Sequence, residues 1–537
     1  MKVLLVGYGP VGARFVDELL PSVTAGLIEL TVVGAEAEDP YNRVLVAEYA
    51  VGRTDREAMD VASSAAAIAA GARVLTDARV TSIDRTAQLA TLSTGEVIEW
   101  NRLVLATGAR ANIPTLSGVA KIGRDKNSLI RAGSAAIAFD QPLPEGITVL
   151  RDLADADRVR EIVKEKKRIV VLGAGVLGLE IALAAAREGA QVCVVHHGGF
   201  PMARNLDQGG GTVLAQSLKK AGVALIARSR AEGIDFHTAE DGTESFEALL
   251  CADGKTIHGD LLLLSCGVSP RVELATLAGL PTSAGVLVDT DLSSWGDPSI
   301  FAIGDCAHVA PRPDLPYGEE LPAGSIPSGG PSGLIGPGWR QADYLAAQFV
   351  AAVAGSAAVP LDEERPALVM LKAEDIDVVS VGDIELDPWD TDYSASDEIE
   401  ARQVSQWVDP QHGRYLKMVT RDGVLEGFVS VGLPRTAAEL TLLFERGSEL
   451  PADRSVLLRN DGPDFIPSTA EFAPDATVCW CNGVTVGHIH TSFDEGNDTV
   501  SCIGKATRAG TGCGGCKGRI GELLEKLARD DSAEVAA

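Results

Sequence analysis

Twice in this chain the pattern Gly-x-Gly-x-x-Gly lies between an apolar run and a helical one, and this repetition constrains the fold most tightly. The first copy is Gly7-Tyr8-Gly9-Pro10-Val11-Gly12, entered from Lys2 to Val6 and left through the helical pattern Arg14 to Leu20. The second is Gly173-Ala174-Gly175-Val176-Leu177-Gly178, entered from Arg168 to Leu172. It continues through alanine-rich Ile181 to Arg187 into the apolar run Gln191 to Val195. A strand, a glycine turn and a helix place backbone N–H groups and a helix N-terminus beneath a pyrophosphate. One such turn is a weak signal. Two complete units predict two dinucleotide-binding domains.

The residues that follow each unit differ, which implies two different nucleotides: FAD at the first and a nicotinamide cofactor at the second. After the first, Leu30 to Val33 leads to Glu36, about where a carboxylate would hold an adenosine ribose hydroxyl. After the second, His196 and His197 stand where that acid is usual. A neutral imidazole does not repel a 2′-phosphate, so the residues leave NADH and NADPH both open, with Arg204 close by in sequence. Two further strands end in small-residue turns, Leu103 to Gly108 and Ile300 to Asp305. In Pro40-Tyr41-Asn42-Arg43, Arg43 is a candidate for FAD phosphates or for substrate entry, with a solvated surface arginine as the bland alternative.

Near the end, Cys479-Trp480-Cys481 is answered by Cys513-Gly514-Gly515-Cys516. Four soft thiolates from two short loops suit two irons with bridging sulfides, and a closed structural zinc site is the rival reading. Gly483, Gly510, Gly512, Gly514, Gly515 and Gly518 crowd these loops. Lys505, Arg508, Lys517 and Arg519 flank them, either as a docking patch for an acidic partner or as a solvated face.

At 537 residues several domains are expected. A formal net charge of −28 argues against nucleic acid or an anionic membrane as partner. Nine cysteines, less the paired set, leave Cys193, Cys251, Cys266, Cys306 and Cys502, read as reduced thiols. The N-terminus does not read as a secretory leader, and no long uninterrupted apolar segment occurs, so a cytoplasmic location is expected.

Gly7 to Gly12, Leu103 to Gly108 and Ile300 to Asp305 together resemble the two-dinucleotide-binding-domain flavoproteins of the pyridine nucleotide-disulfide reductase fold. The resemblance implies FAD contacts at Gly7, Gly9, Pro10, Gly12, Glu36, Arg43, Val80, Thr107 and Gly108, with Gly304 and Asp305 at the ribityl and phosphate region. It implies nicotinamide-nucleotide contacts at Gly173, Gly175, Gly178, Glu180, His196 and Gly267, with Arg43 and Glu180 as catalytic candidates. Several relatives carry a reactive cysteine near position 42; here Asn42 and Arg43 stand instead, so the flavin is expected to lack a neighbouring redox thiol.

The runs Tyr41 to Val44 and His196 to Leu214 are similar to the flavoprotein half of assimilatory nitrite reductase large subunits, which favours NADH. Cys479 to Gly483 with Thr511 to Cys516 resembles the bacterioferritin-associated-ferredoxin-like [2Fe–2S] module, which implies Cys479, Cys481, Cys513 and Cys516 as the metal ligands. Those large subunits continue into a sirohaem and [4Fe–4S] half, whereas this sequence stops at Ala537. The expectation is therefore a relay from NAD(P)H through FAD and the cluster to a separate molybdenum nitrate reductase catalytic subunit. A reductase for nitrite reductase, an oxygenase or a ferredoxin is the alternative; an iron-handling or redox-sensing binding protein is a second.

The expected class is α/β. An FAD domain covers 1–150 and 260–355, and an NAD(P)H domain covers 151–259. A small α+β interface domain (356–460), a linker (461–474), a helical [2Fe–2S] domain (475–530) and a tail (531–537) follow. Strands are predicted at 368–371, 377–381, 415–420 and 425–431, with a hairpin at Arg421-Asp422-Gly423 and a helix from Trp339 to Ala352. Pro322 to Gly338 reads as a loop near the flavin, Val119 to Pro144 as a surface insertion, Asp387 to Ser396 as a solvated loop, and Arg454 to Pro474 as linker.

Overall fold

The structure is a computed structural model, and it describes residues 1–118, 143–314, 327–356, 368–373, 376–389, 402–462, 473–512 and 514–535. Most of the 119–144 insertion and of the 387–396 loop therefore lies outside the described residues, as does Cys513.

In the first sheet β1 (Lys2–Val6) runs parallel between β2 (Glu29–Val33) and β3 (Arg102–Leu105), with Leu4 flanked by Thr31 and Leu103. Asp297–Ala302 adds in parallel to β3, and the sheet reaches eight strands. These strands are apolar without alternation because helices or loops cover both faces. Helix α1 (Pro10–Thr24) begins four residues before the predicted Arg14, because Pro10 in the first turn has no N–H to leave orphaned. The helix Ile335–Ala354 likewise begins before Trp339, with Gly336 and Pro337 in its first turn. The two helices pack together through Phe15 and Phe349, whose rings meet edge-on at 5.7 Å, and through Arg14 and Asp343 at 2.5 Å.

The second sheet centres on β4 (Arg168–Leu172). It lies parallel between β5 (Gln191–Val195) and β6 (Leu261–Leu264), and α2 (Val176–Arg187) forms the crossover. This moves a predicted boundary. The sequence reading puts Leu261–Leu264 in the returning part of the FAD domain, but four consecutive buried leucines complete the second sheet, as does Ile147–Thr148 beside them. The chain crosses between the two domains on the antiparallel pair Ala109–Ala111 and Val268–Pro270.

The third domain is a five-stranded sheet with the helix Pro434–Arg446 on it. All four predicted strands are present, and Asp422 (φ 49°) with Gly423 (φ 81°) makes the two-residue turn between Arg421 and Val424. Arg402–Asp409 is an additional edge strand whose half-exposed residues carry no strong apolar signal. Arg454–Asp461 is a 3₁₀ helix rather than linker: Leu457 is buried, and Asp461 accepts from the Arg435 and Thr436 N–H groups at 3.1 and 2.9 Å. That caps the domain's helix. The last module joins the ribbon Thr477–Cys479 and Val484–Thr485 to the helices Val486–Asp494, Val500–Thr507 and Lys517–Val535. Ile489, Ile503 and Ile520, all fully buried, form its core.

Candidate functional site

One cavity of about 2070 Å³ joins the first glycine turn, the second helix unit and the cysteine loops. Gly7 (φ +112°) allows β1 to turn against β3; a Cβ there would lie 2.2 Å from the Ala106 carbonyl oxygen. A Cβ on Gly12 would lie 2.3 Å from the Gly7 oxygen. Gly9 caps α1 with no side-chain partner for the helix N–H groups, which leaves that anion-binding end available to a phosphate.

Glu36 accepts from the Tyr41 hydroxyl at 2.9 Å and forms an ion pair with Arg43. Arg43 also donates to the Arg151 carbonyl at 2.9 Å, and its guanidinium lies 5.0 Å from the centre of the Tyr41 ring. Burial is the largest single influence and works against the Arg43 charge, but Glu36, Tyr41 and Asp152 together outweigh it and hold the group charged above its ordinary range. Arg151 in turn reaches Asp305 at 2.9 Å and the Ala109 carbonyl at 3.2 Å. Glu36, Arg43, Arg151 and Asp305 thus form a charged line along the cavity. Gly304 (φ +72°) donates its N–H to Gln341 at 2.8 Å, and the Thr107 hydroxyl donates to the Arg271 carbonyl at 2.8 Å.

The cavity gathers Gly7, Gly9, Pro10, Gly12, Glu36, Arg43, Val80, Thr107, Gly108, Glu180, Gly304, Asp305, Cys481 and Cys516. Its lining excludes Gly173 and His196 at strand ends of the second sheet, Gly175 and Gly178 at the start of α2, and Gly267. There the close approach repeats: a Cβ on Gly173 (φ +119°) would lie 2.0 Å from the Ser265 oxygen. Gly175 caps α2 without a side-chain bond, and nothing lies within 4 Å of where its Cβ would be. His196 is buried and its Nε2 has no hydrogen-bond partner; burial, helped by His197, lowers its pKa and keeps it neutral. Gly267 (φ +82°) belongs to the crossing between domains, where its carbonyl accepts from Asn112 at 2.9 Å. Arg151 and Trp480 also line the cavity, although a lone arginine after an insertion and the middle residue of a Cys-x-Cys carry no local signal in the sequence.

The cysteine loops converge. A hydrogen bond with Cys516 is the main cause that draws the Cys479 thiol down to about 6; burial opposes it, while the Gly510 and Asn482 N–H groups assist. A Cβ on Gly512 would lie 2.8 Å from Cys481 Cβ, so the residue beside Cys513 abuts the third thiol. Among the described residues no three metal-ligating side chains meet, and Cys513 is outside them. Neighbouring thiols with N–H groups aimed at sulfur suit an iron–sulfur cluster. Of the expected basic patch, Arg508 is paired with Glu18 at 2.9 Å and Arg519 faces the cavity, while Lys505 and Lys517 are exposed.

Residues 1–320 match the pyridine nucleotide-disulphide oxidoreductase family. The chain belongs to that family. Residues 477–526 match the BFD-like [2Fe-2S] binding domain. Nitrite reductase [NAD(P)H] of Bacillus subtilis (strain 168) is 27% identical over 99% of this chain and 58% of its own length. The assimilatory nitrate reductase electron transfer subunit of the same organism is 25% identical over 100% of this chain and 61% of its own. The chain therefore spans about three-fifths of these relatives. A ferredoxin reductase for the CYP199A2 system from Rhodopseudomonas palustris shares the fold, with a TM-score of 0.63 and 24% identity over 84% of this chain and 95% of that one. As a member of the family the chain is an FAD-dependent NAD(P)H oxidoreductase carrying a [2Fe–2S] domain. The cluster reading displaces zinc. Among the described residues no helix is long and apolar enough to cross a membrane.

Proposed function

We propose that the chain relays electrons from NAD(P)H, with NADH preferred, through FAD and the cluster to a separate molybdenum catalytic subunit of assimilatory nitrate reductase. The observation that carries this reading is that Glu36 and Arg43, Glu180, and Cys481 and Cys516 line one cavity. Bound FAD would supply the conversion between a two-electron hydride donor and a cluster that accepts one electron at a time.

The chain's residues bind, orient and shield. Gly9, Gly12 and the α1 N-terminus receive the FAD pyrophosphate, Glu36 a ribose hydroxyl, and Gly304 and Asp305 the ribityl region. Arg43 and Arg151 supply positive charge along that line, so Arg43 acts as a binding residue. Gly173, Gly175 and Gly178 hold the nicotinamide nucleotide, His196 faces its ribose without charge, and Glu180 lies beside the nicotinamide. Cys479, Cys481, Cys513 and Cys516 hold the cluster, and Trp480, on the cavity wall, excludes water from it.

The similarity to a nitrate reductase electron transfer subunit along the whole chain supports the nitrate acceptor. The similarity to nitrite reductases supports a second reading, in which the electrons serve nitrite reduction. Stopped-flow reduction by NADH and NADPH, followed at flavin and iron–sulfur wavelengths, tests the relay. Flavin bleaching followed by cluster bleaching is expected, and a cluster that stays oxidised overturns it. Mixing the reduced protein with each reductase's catalytic partner distinguishes the acceptors.

A further inference from the structure

Asn42 is almost fully buried, at 1% exposure, and caps the 3₁₀ turn Arg43–Leu45 of the flavin domain. Its Nδ2 donates to the Thr511 carbonyl at 2.8 Å and to the Gly512 carbonyl at 2.7 Å, the two residues that precede Cys513. Its Oδ1 accepts from the Val44 N–H at 3.0 Å. The carboxamide is therefore used at both ends, and its orientation is fixed, since a flipped amide would set oxygen against two carbonyls.

Other contacts converge on the same loops. Trp339 donates its indole N–H to the Pro10 carbonyl in the first glycine turn at 3.1 Å. Its ring edge lies 3.1 Å from where a Gly512 Cβ would be, so only glycine fits there. A Gly336 Cβ would lie 3.4 Å from the Cys481 oxygen, and Arg508 reaches Glu18 on α1 at 2.9 Å. Both cysteine loops thus rest on backbone and side chains that also shape the flavin cavity.

We infer that Asn42 is a positioning residue that seats the iron–sulfur module on the flavin domain by holding the carbonyls beside Cys513, with Trp339 and the Arg508–Glu18 pair fixing the same seat. This rests on the relay reading. Seated in this way, the module is a fixed outlet for the flavin cavity: NAD(P)H loses a hydride, its two electrons leave singly past this contact, and its one proton goes to solvent. A separate acceptor then meets the module, not the flavin.

Asn42→Asp tests the inference. It keeps the oxygen that caps the Arg43 turn and replaces the amide donor with a carboxylate facing two carbonyls. Iron, sulfide and the rate of flavin reduction by NADH are expected to be retained. Reduction of the cluster is expected to slow by about tenfold or more, the scale of losing buried hydrogen bonds to a repulsive contact. Amide exchange over 508–512 in the holoprotein is expected to rise. If the variant lowers iron content, Arg508→Glu replaces it, with Glu18→Arg expected to restore both exchange protection and rate. Unchanged exchange and unchanged cluster reduction in Asn42→Asp overturn the inference. A wild-type cluster that NADH never reduces overturns the relay instead.

Discussion

Arg151 reaches Asp305 at 2.9 Å, joining the segment that opens the NAD(P)H domain to the strand end expected to hold FAD. Arg151 also supports Arg43 through its carbonyl, so one residue holds Asp305 directly and Glu36 by way of Arg43. Arg151→Ala should leave the Asp305 carboxylate without its counter-ion and weaken FAD affinity by about tenfold, a loss of roughly 1–2 kcal/mol. Flavin fluorescence titration of the apoprotein measures this. An unchanged affinity would show that the line of charges braces the protein rather than the cofactor.

Two glycines of the same motif should respond in opposite ways. Gly7→Ala places a Cβ 2.2 Å from a backbone oxygen at a φ of +112°, so the apoprotein should lose about 3 kcal/mol or more and retain no flavin. Gly175→Ala meets nothing within 4 Å and needs no positive φ. Its unfolding midpoint should stay near wild type, while KM for NAD(P)H rises because the methyl occupies the nucleotide's approach. Thermal unfolding and steady-state dye reduction separate the two.

His196 gives the second domain a pH dependence. Its pKa is lowered from 6.5 by burial and then by His197, so the folded state binds this proton less readily than the unfolded chain. Stability from this group is complete above the unfolded value and is lost as pH falls below it. Between about pH 7.5 and 5.5 the wild type should lose more thermal stability than His196→Gln. Parallel slopes for the two proteins would remove His196 as the cause.

What could be read from the sequence was local. Gly7 to Gly12 and Gly173 to Gly178 are strand-turn-helix signals within a dozen residues, and the Asp422-Gly423 hairpin needs only its neighbours. Leu261–Leu264 carries no sign of which domain it belongs to, because a discontinuous domain has no local mark where the chain returns to it; only pairing with Arg168–Leu172 decides that. The edge strand Arg402–Asp409 lacks a buried face to create apolar alternation. In the sequence Arg508 reads as docking charge or as a solvated face, yet its partner is Glu18 on a helix at the other end of the chain. Asn42 is the extreme case: its meaning lies in two carbonyls more than four hundred residues away, and no periodicity reports that.

The cysteines of the last module separate into ligands and a bystander, and this gives the most direct test of the cluster. Cys479 and Cys516 share a hydrogen bond and are buried, while Cys481 abuts Gly512. Cys502 instead lies half-buried in the first turn of Val500–Thr507, where its N–H is capped by Thr499. Cys479→Ser, Cys481→Ser, Cys513→Ser and Cys516→Ser should each lose iron and acid-labile sulfide, because a hydroxyl is a harder and far less acidic ligand than a thiol. Cys502→Ser should keep both. All should still pass a hydride from NADH to two-electron dyes, since Glu36, Arg43 and Glu180 are untouched. Full metal content in Cys513→Ser would remove that residue from the ligand set. Loss of dye reduction together with the iron would mean that the module supports the flavin cavity as well as drawing electrons from it.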